Sequence, residues 1–198
     1  MGKRGYIVPD WMRGQGTPEG RVPLYLNPGL TFGTGAHPTT QLCLELLEEA
    51  LRPGDKVLDL GFGSGILAIA ALALGASRAI GVDIDPKAAD VAFENAALNG
   101  VGPDRLSVYA GDVLSDKKLA ARLEPGQNRV VLANIVADVI IPLSATAGRF
   151  MTDGGVFLTS GIIDGRQEEV KAALEHNGFA VVSHLERGGW HAFQAVRA

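Results

Sequence analysis

The sequence predicts an α/β fold: a mainly parallel, doubly wound sheet that ends in an antiparallel hairpin. Three observations predict it. From residue 38 onward, short apolar runs bounded by turn residues alternate with stretches of helical periodicity, the pattern of consecutive βα units. The apolar runs are continuous, as expected for strands covered by helices on both faces. The last two runs flank Gly188-Gly189, a tight-turn signal that joins antiparallel strands.

Residues 1–36 carry many Gly and Pro, as in Gly14-Gln15-Gly16-Thr17-Pro18, with little periodicity. They read as an irregular lead-in or linker with one short strand near residues 21–26. Pro38 opens a helix whose apolar positions Leu42, Leu46, Leu47 and Leu51 recur at helical spacing, and Pro53-Gly54 ends it. Residues 57–60 form a strand, and 64–74 an Ala/Leu/Ile helix closed by Gly75. A strand over 79–84 leads to a helix over 86–98, with Pro86 in its first turn and Asp85 as its N-cap. Strands over 106–110 and 129–135 follow, then a helix over 136–150, a strand over 156–160 and a helix over 165–177 before Gly178. Strands over 180–185 and 190–197 close the chain. The result is a Rossmann-like, seven-stranded sheet in one domain over residues 37–198.

At 198 residues, the chain is long enough for one well-buried core and too short for two large domains. Its net charge of −4 argues against a strongly basic nucleic-acid-binding surface and suits a basic protein or amine partner. The single cysteine, Cys43, excludes an internal disulfide and a multi-cysteine zinc site; on the apolar face of the first helix, it reads as core packing. The longest apolar run, 66–74, is too short to span a bilayer, and residues 1–10 show no signal-peptide pattern. The expected location is a reducing cytosol, away from membranes.

The sharpest motif is Asp59-Leu60-Gly61-Phe62-Gly63-Ser64-Gly65, set between a strand and a helix. Glycines let the backbone turn sharply and approach a ligand, and the helix behind them presents free N–H groups. A plain turn needs one Gly; three in five residues favour a ligand. The G-x-G-x-G spacing differs from the dinucleotide form G-x-G-x-x-G, and a P-loop's Gly-Lys-Ser/Thr ending is absent. Asp83, at a strand end 22 residues after Gly61, can accept two hydrogen bonds from ribose hydroxyls, a feature common to NAD and S-adenosylmethionine sites. Asp112, after the third sheet strand, has two readings, a ligand contact and a turn residue.

The Asp-x-Gly-x-Gly-x-Gly form resembles the first motif of class I S-adenosylmethionine-dependent methyltransferases. Their ligand carries an ammonium and no phosphate, which suits an acidic residue beside the loop. A second motif narrows the match. Residues 27–44, Asn-Pro-Gly-Leu-Thr-Phe-Gly-Thr-Gly-Ala-His-Pro-Thr-Thr-Gln-Leu-Cys-Leu, resemble the signature of the ribosomal protein L11 methyltransferase family (PrmA). Gly65 to Ala71, Gly81 to Pro86, Ala133-Asn134-Ile135, Ser160-Gly161-Ile162 and Trp190 agree with it. Phe62 stands where Cys or Thr is commoner.

The resemblance implies S-adenosyl-L-methionine as cofactor and a protein amine as substrate, ribosomal protein L11 or another. It implies that Thr40, Gly61, Asp83 and Asn134 contact the cofactor, joined by Asp59, Gly63, Gly65, Ile84 and Asp112. The loop from Phe32 to His37, with Phe32, Thr34 and Gly35, would lie over it, and Asp112 would hold the adenine amino group. Asn134, which otherwise reads as a strand-end turn residue, would receive the reactive amine and is the expected catalytic residue. His37 is expected to order its loop, Trp190 and Phe193 to pack the edge strands, and Lys117-Lys118 to be a solvated face.

The family also carries an N-terminal domain that recognises the ribosomal protein, and residues 6–11 resemble the segment just before the catalytic domain. The expectation is a chain without that domain, an excised catalytic domain or a short relative, which binds cofactor normally and methylates L11 slowly or not at all. Three rivals stand beside it: a methyltransferase of another protein or small amine, a cofactor-binding module without turnover, and, more distant, an NAD oxidoreductase.

Overall fold

The computed structural model describes residues 2–14, 16–27, 35 and 37–198. Seven strands form the main sheet: β3 (Lys56–Leu60), β4 (Arg78–Asp83), β5 (Leu106–Ala110), β6 (Asn128–Asn134), β7 (Met151–Ile163), β8 (Phe179–Arg187) and β9 (Trp190–Arg197). Their spatial order is β5-β4-β3-β6-β7-β9-β8. Neighbours from β5 to β7 pair in parallel; β9 pairs antiparallel with both β7 and β8. The predicted sheet and its antiparallel edge are thus present.

Alternation along each strand sorts the core into two layers. Val57, Ala79, Val130 and Leu158 face α1 (Pro38–Ala50) and α2 (Ile66–Ala73). Leu58, Ile80, Val131 and Phe157 face α4 (Lys117–Arg122), α5 (Ala137–Ala147) and α6 (Gln167–His176). A third helix, α3 (Pro86–Leu98), packs Ala88 and Ala92 on Phe62 of the glycine loop. Helix starts follow local chemistry. His37 caps α1 through Nδ1, which accepts from Thr39 N, with Pro38 in the first turn. Asp85 caps α3 by accepting from Lys87 N at 2.9 Å. The sequence reading did not resolve α4: six residues are too few for periodicity. Asp116 starts it, accepting from Lys118 N at 2.9 Å and Leu119 N at 3.0 Å.

The described residues of the lead-in are more ordered than expected. They hold two strands, β1 (Gly5–Pro9) and β2 (Val22–Leu26), paired in parallel. Leu24 and Leu26 are buried in the same core layer as α1 and α2. Side chains replace a missing neighbour strand. Asn99 accepts from Tyr25 N at 2.9 Å and donates to Tyr25 O at 2.7 Å. Glu48 accepts from Lys3 N at 2.6 Å and Gly5 N at 2.7 Å. A parallel pair of five-residue strands lacks the hairpin signal that reveals antiparallel pairs in sequence.

Gly161 interrupts β7 at the bulge between Ser160 and Ile162. Its φ is +88°, and a Cβ there would overlap the Ile135 carbonyl oxygen. Gly161→Ala is therefore expected to cost more than about 1 kcal/mol of stability, seen as a lowered Tm in thermal unfolding. An unchanged Tm would show that β6 and β7 tolerate separation there.

Candidate active site

The chain reverses its winding between β3 and β6, and the carboxyl ends of these strands open a crevice, as doubly wound sheets do at such a point. Gly61, Asp83 and Asn134 stand at or just beyond the ends of β3, β4 and β6. The three loop glycines have φ of +77°, +51° and +78°, where a Cβ is strained. A Cβ on Gly61 would overlap the Ile135 side chain, and one on Gly65 would lie 3.0 Å from Ala92 Cβ. Gly61 thus admits the wall of the crevice, and Gly65 admits α3.

Asp83 ties this loop down. Its Oδ2 accepts from Gly63 N at 2.9 Å, and its Oδ1 accepts from Asp85 N at 3.0 Å. Asp83 also lines the crevice. Ile84 beside it is 77% exposed and borders the same space, an apolar surface free to cover a flat ring. Asp112 lines that lobe too, while it accepts from Leu114 N at 2.9 Å and Ser115 Oγ at 2.8 Å. The turn geometry read as its alternative role is present, and it leaves the residue at the crevice wall.

Asp59 lies elsewhere. It points to the face covered by α1 and α2, is 1% exposed, and is not among the described residues that line the crevice. Its Oδ2 accepts from Ala68 N at 3.2 Å in the first turn of α2, and its Oδ1 has no hydrogen-bond partner among the described residues. Burial pushes its carboxyl up to about 7; the Ala68 hydrogen bond opposes this and the Asp83 charge adds to it. Burial likewise pushes the nearby Cys43 thiol up, so Cys43 is an inert, buried side chain.

The Asp59 shift has a sign that can be checked. The folded state holds this proton up to about pH 7, whereas an ordinary carboxyl loses it near 3.8. Between those values the folded state binds more protons, so the contribution of Asp59 to stability is full below the lower value and is lost as pH rises through the upper one. Asp59→Asn should flatten stability over that window, measured by urea unfolding at pH 5 and pH 8. A slope unchanged by the substitution would contradict the buried, proton-holding carboxyl.

The crevice has three adjoining lobes. An inner lobe of about 240 Å³ lies between Asp83, Ile84 and Asp112. A central lobe of about 620 Å³ runs past Gly61 and Gly63 to Asn134. An outer lobe of about 220 Å³ lies between Asn134, His37 and Trp190. Ile135 borders all three. Asn134 sits where central and outer lobes meet. Its Nδ2 is 3.5 Å from Oγ1 of Thr40, itself fully buried in the first turn of α1. Its Oδ1 is buried and takes no hydrogen bond among the described residues. A buried amide oxygen without a partner is costly unless a ligand or a water supplies one.

The outer lobe has an aromatic wall. The His37 and Trp190 rings meet edge to face, centroids 4.9 Å apart. Trp190, expected to pack an edge strand, borders this lobe as well. Gly35 is buried, with φ +81°, and packs against Ile7 of β1. Phe32 and Thr34 lie outside the described residues. Sequence reasoning did not single out Ile135, Val136, Val139 or Gly161 as lining residues. The one signal available was the apolar step directly after Asn134, since Val136 stays 60% exposed.

Among the described lining residues, the three lobes hold Asp83, Asp85 and Asp112 and neither Lys nor Arg. A pyrophosphate would meet like charge there, whereas a nucleoside bearing a cationic group would not. The residues present therefore fit a ligand without phosphate groups, with Asp83 placed to accept from its hydroxyls.

The chain is similar to known proteins. The profile of the family described as Ribosomal protein L11 methyltransferase (PrmA) matches residues 1–198. The Ribosomal protein L11 methyltransferase of Pseudomonas aeruginosa strain LESB58 is 45% identical over 191 residues, which cover 96% of this chain and 60% of that protein. The crystal structure of a ribosomal protein L11 methylase from Lactobacillus delbrueckii subsp. bulgaricus superposes with a TM-score of 0.87 at 32% identity, covering 98% of this chain and 95% of that one. A SAM dependent methyltransferase from Aquifex aeolicus shares the fold alone, at TM-score 0.65 and 17% identity, over 82% of this chain and 94% of that one. The chain spans about 60% of the length of the curated relatives it matches.

Proposed function

The chain belongs to the ribosomal protein L11 methyltransferase family, and on that premise we propose that it binds S-adenosyl-L-methionine in the crevice and methylates protein amines, with ribosomal protein L11 as its substrate. The carrying observation is the acidic crevice with the unpartnered Asn134 Oδ1 at the junction of its central and outer lobes. When bound, the cofactor supplies a methyl group activated on a sulfonium. Asp83 accepts from the ribose hydroxyls, and Ile84 covers one face of the base, near Asp112. The glycine loop lets the ligand approach the backbone. Asn134 Oδ1 accepts from an N–H of the incoming amine and so aims the nitrogen lone pair toward the central lobe. Such alignment lowers the barrier by several kcal/mol without a base. The outer lobe, with His37 and Trp190 on its wall, admits the amine's carbon stem. The proposed location is the cytoplasm, where ribosomal proteins are; among the described residues no helix is long and apolar enough to cross a membrane.

A lysine amine ionises near about 10.4, and only its neutral form is nucleophilic. Without an enzymic base, log kcat/KM for methyl transfer to L11 should rise with unit slope from pH 6 to pH 9. Radiolabelled transfer to that protein checks it. A plateau beginning below pH 7 would point to a base in the crevice, and no transfer at any pH would favour the rival of a cofactor-binding module.

A further inference from the structure

A chain of three polar side chains lies at the edge of the sheet, outside the crevice. His191, in β9, is 6% exposed. Its Nε2 lies 2.6 Å from Asp164 Oδ1, and its Nδ1 lies 2.9 Å from His184 Nε2. A carboxylate only accepts, so His191 Nε2 carries a hydrogen toward Asp164, and a single hydrogen joins His191 Nδ1 to His184 Nε2. The His184 ring lies on Phe193, centroids 4.6 Å apart. Burial, with the neighbouring His191 adding to it, lowers the His184 pKa.

These contacts brace the residues on both sides of Trp190. Asp164 N donates to Gly189 O at 2.9 Å, and Ser160 Oγ donates to His191 O at 3.1 Å. Trp190 pairs with Ile163 and His191 with Ile162, next to the bulge at Gly161. A bulge breaks the ladder locally, and β9 enters here straight from a two-glycine turn. The β7–β9 ladder is thus broken beside the residues that place the indole, although Trp190 also pairs with Arg187 of β8. Trp190 and Gly161 border the same outer lobe as Asn134.

We propose that the Asp164–His191–His184 chain is a positioning device for Trp190, which holds the indole on the wall of the outer lobe where the acceptor amine enters. Its functional consequence rests on the methyl-transfer reading; its geometry does not. Asp164 is 68% exposed at its side chain, so its removal deletes a contact and little packing.

The test uses the Trp11→Phe chain, in which Trp190 is the remaining tryptophan. In that background Asp164→Ala and His191→Ala should red-shift the emission and raise its quenching by acrylamide. His191→Gln, whose amide nitrogen takes the place of Nε2, should restore both signals. S-adenosylhomocysteine affinity should change by less than about twofold, while KM for L11 rises about tenfold through misplacement of the acceptor. Unchanged quenching in both variants overturns the proposal, as does raised quenching with an unchanged KM. Should His191→Ala fail to fold, Asp164→Ala decides alone. A parent chain that neither binds S-adenosylhomocysteine nor transfers a methyl group would refute the methyl-transfer reading, and the quenching arm would still decide the positioning claim.

Discussion

Replacing Asn134 by Ala is expected to lower kcat for methyl transfer by about 100-fold, the scale of a small misplacement of reacting atoms. Cofactor affinity should change by much less. The residue ends β6, where parallel pairing through Asn134↔Ser160 fixes its backbone, and the Thr40 hydroxyl lies 3.5 Å from its Nδ2. That leaves Oδ1 as the unpartnered group among the described residues. In the proposed reaction the amine meets this oxygen only as it approaches the methyl group, so its loss appears in kcat and kcat/KM together. Single-turnover kinetics with pre-bound cofactor measure the step. Collapse of cofactor binding with intact turnover of the bound fraction would make Asn134 a ligand of the cofactor and nothing more.

Asp83→Ala is expected to weaken cofactor binding by about 1.5–3 kcal/mol, the worth of a hydrogen bond to a charged group. This corresponds to a loss of about 10- to 150-fold. Two causes add in one residue. The ribose loses its acceptor, and Gly63 N loses the carboxylate that holds the glycine loop. Asp83→Asn separates them, because its amide oxygen can still accept from Gly63 N while the charge is gone. An intermediate affinity is expected for Asn. Equal affinity in wild type and Asp83→Ala, each folded by circular dichroism, would place the ribose elsewhere.

The sheet, the glycine loop and the acidic strand end were readable because each rests on short-range chemistry. Apolar runs bounded by Gly and Pro mark strands, and left-handed glycines mark a turn in any context. Helix α4 and the β1–β2 pair were not readable in the same way. One is too short for a period, and the other owes its place to Asn99 and Glu48, which act from distant helices. The site divides likewise. Asp83 and Asn134 are strand-end residues, and strand ends follow from the βα pattern. Asp59 lies one step before Leu60 on the same strand, and the two-residue alternation turns it to the α1/α2 face, where it accepts from Ala68 N in the first turn of α2. Its motif position speaks for the ligand; its strand parity points it away from the crevice. Trp190 reached the outer lobe through the pairing of β9 with β7, a contact between segments far apart in sequence that no local pattern encodes.

The most direct test of the central claim is calorimetric titration of this chain with S-adenosylhomocysteine and, separately, with NAD. The acidic crevice predicts one-to-one, saturable binding of S-adenosylhomocysteine, weakened in Asp83→Ala, and no heat with NAD. Binding of NAD, or S-adenosylhomocysteine affinity that Asp83→Ala leaves untouched, would contradict it.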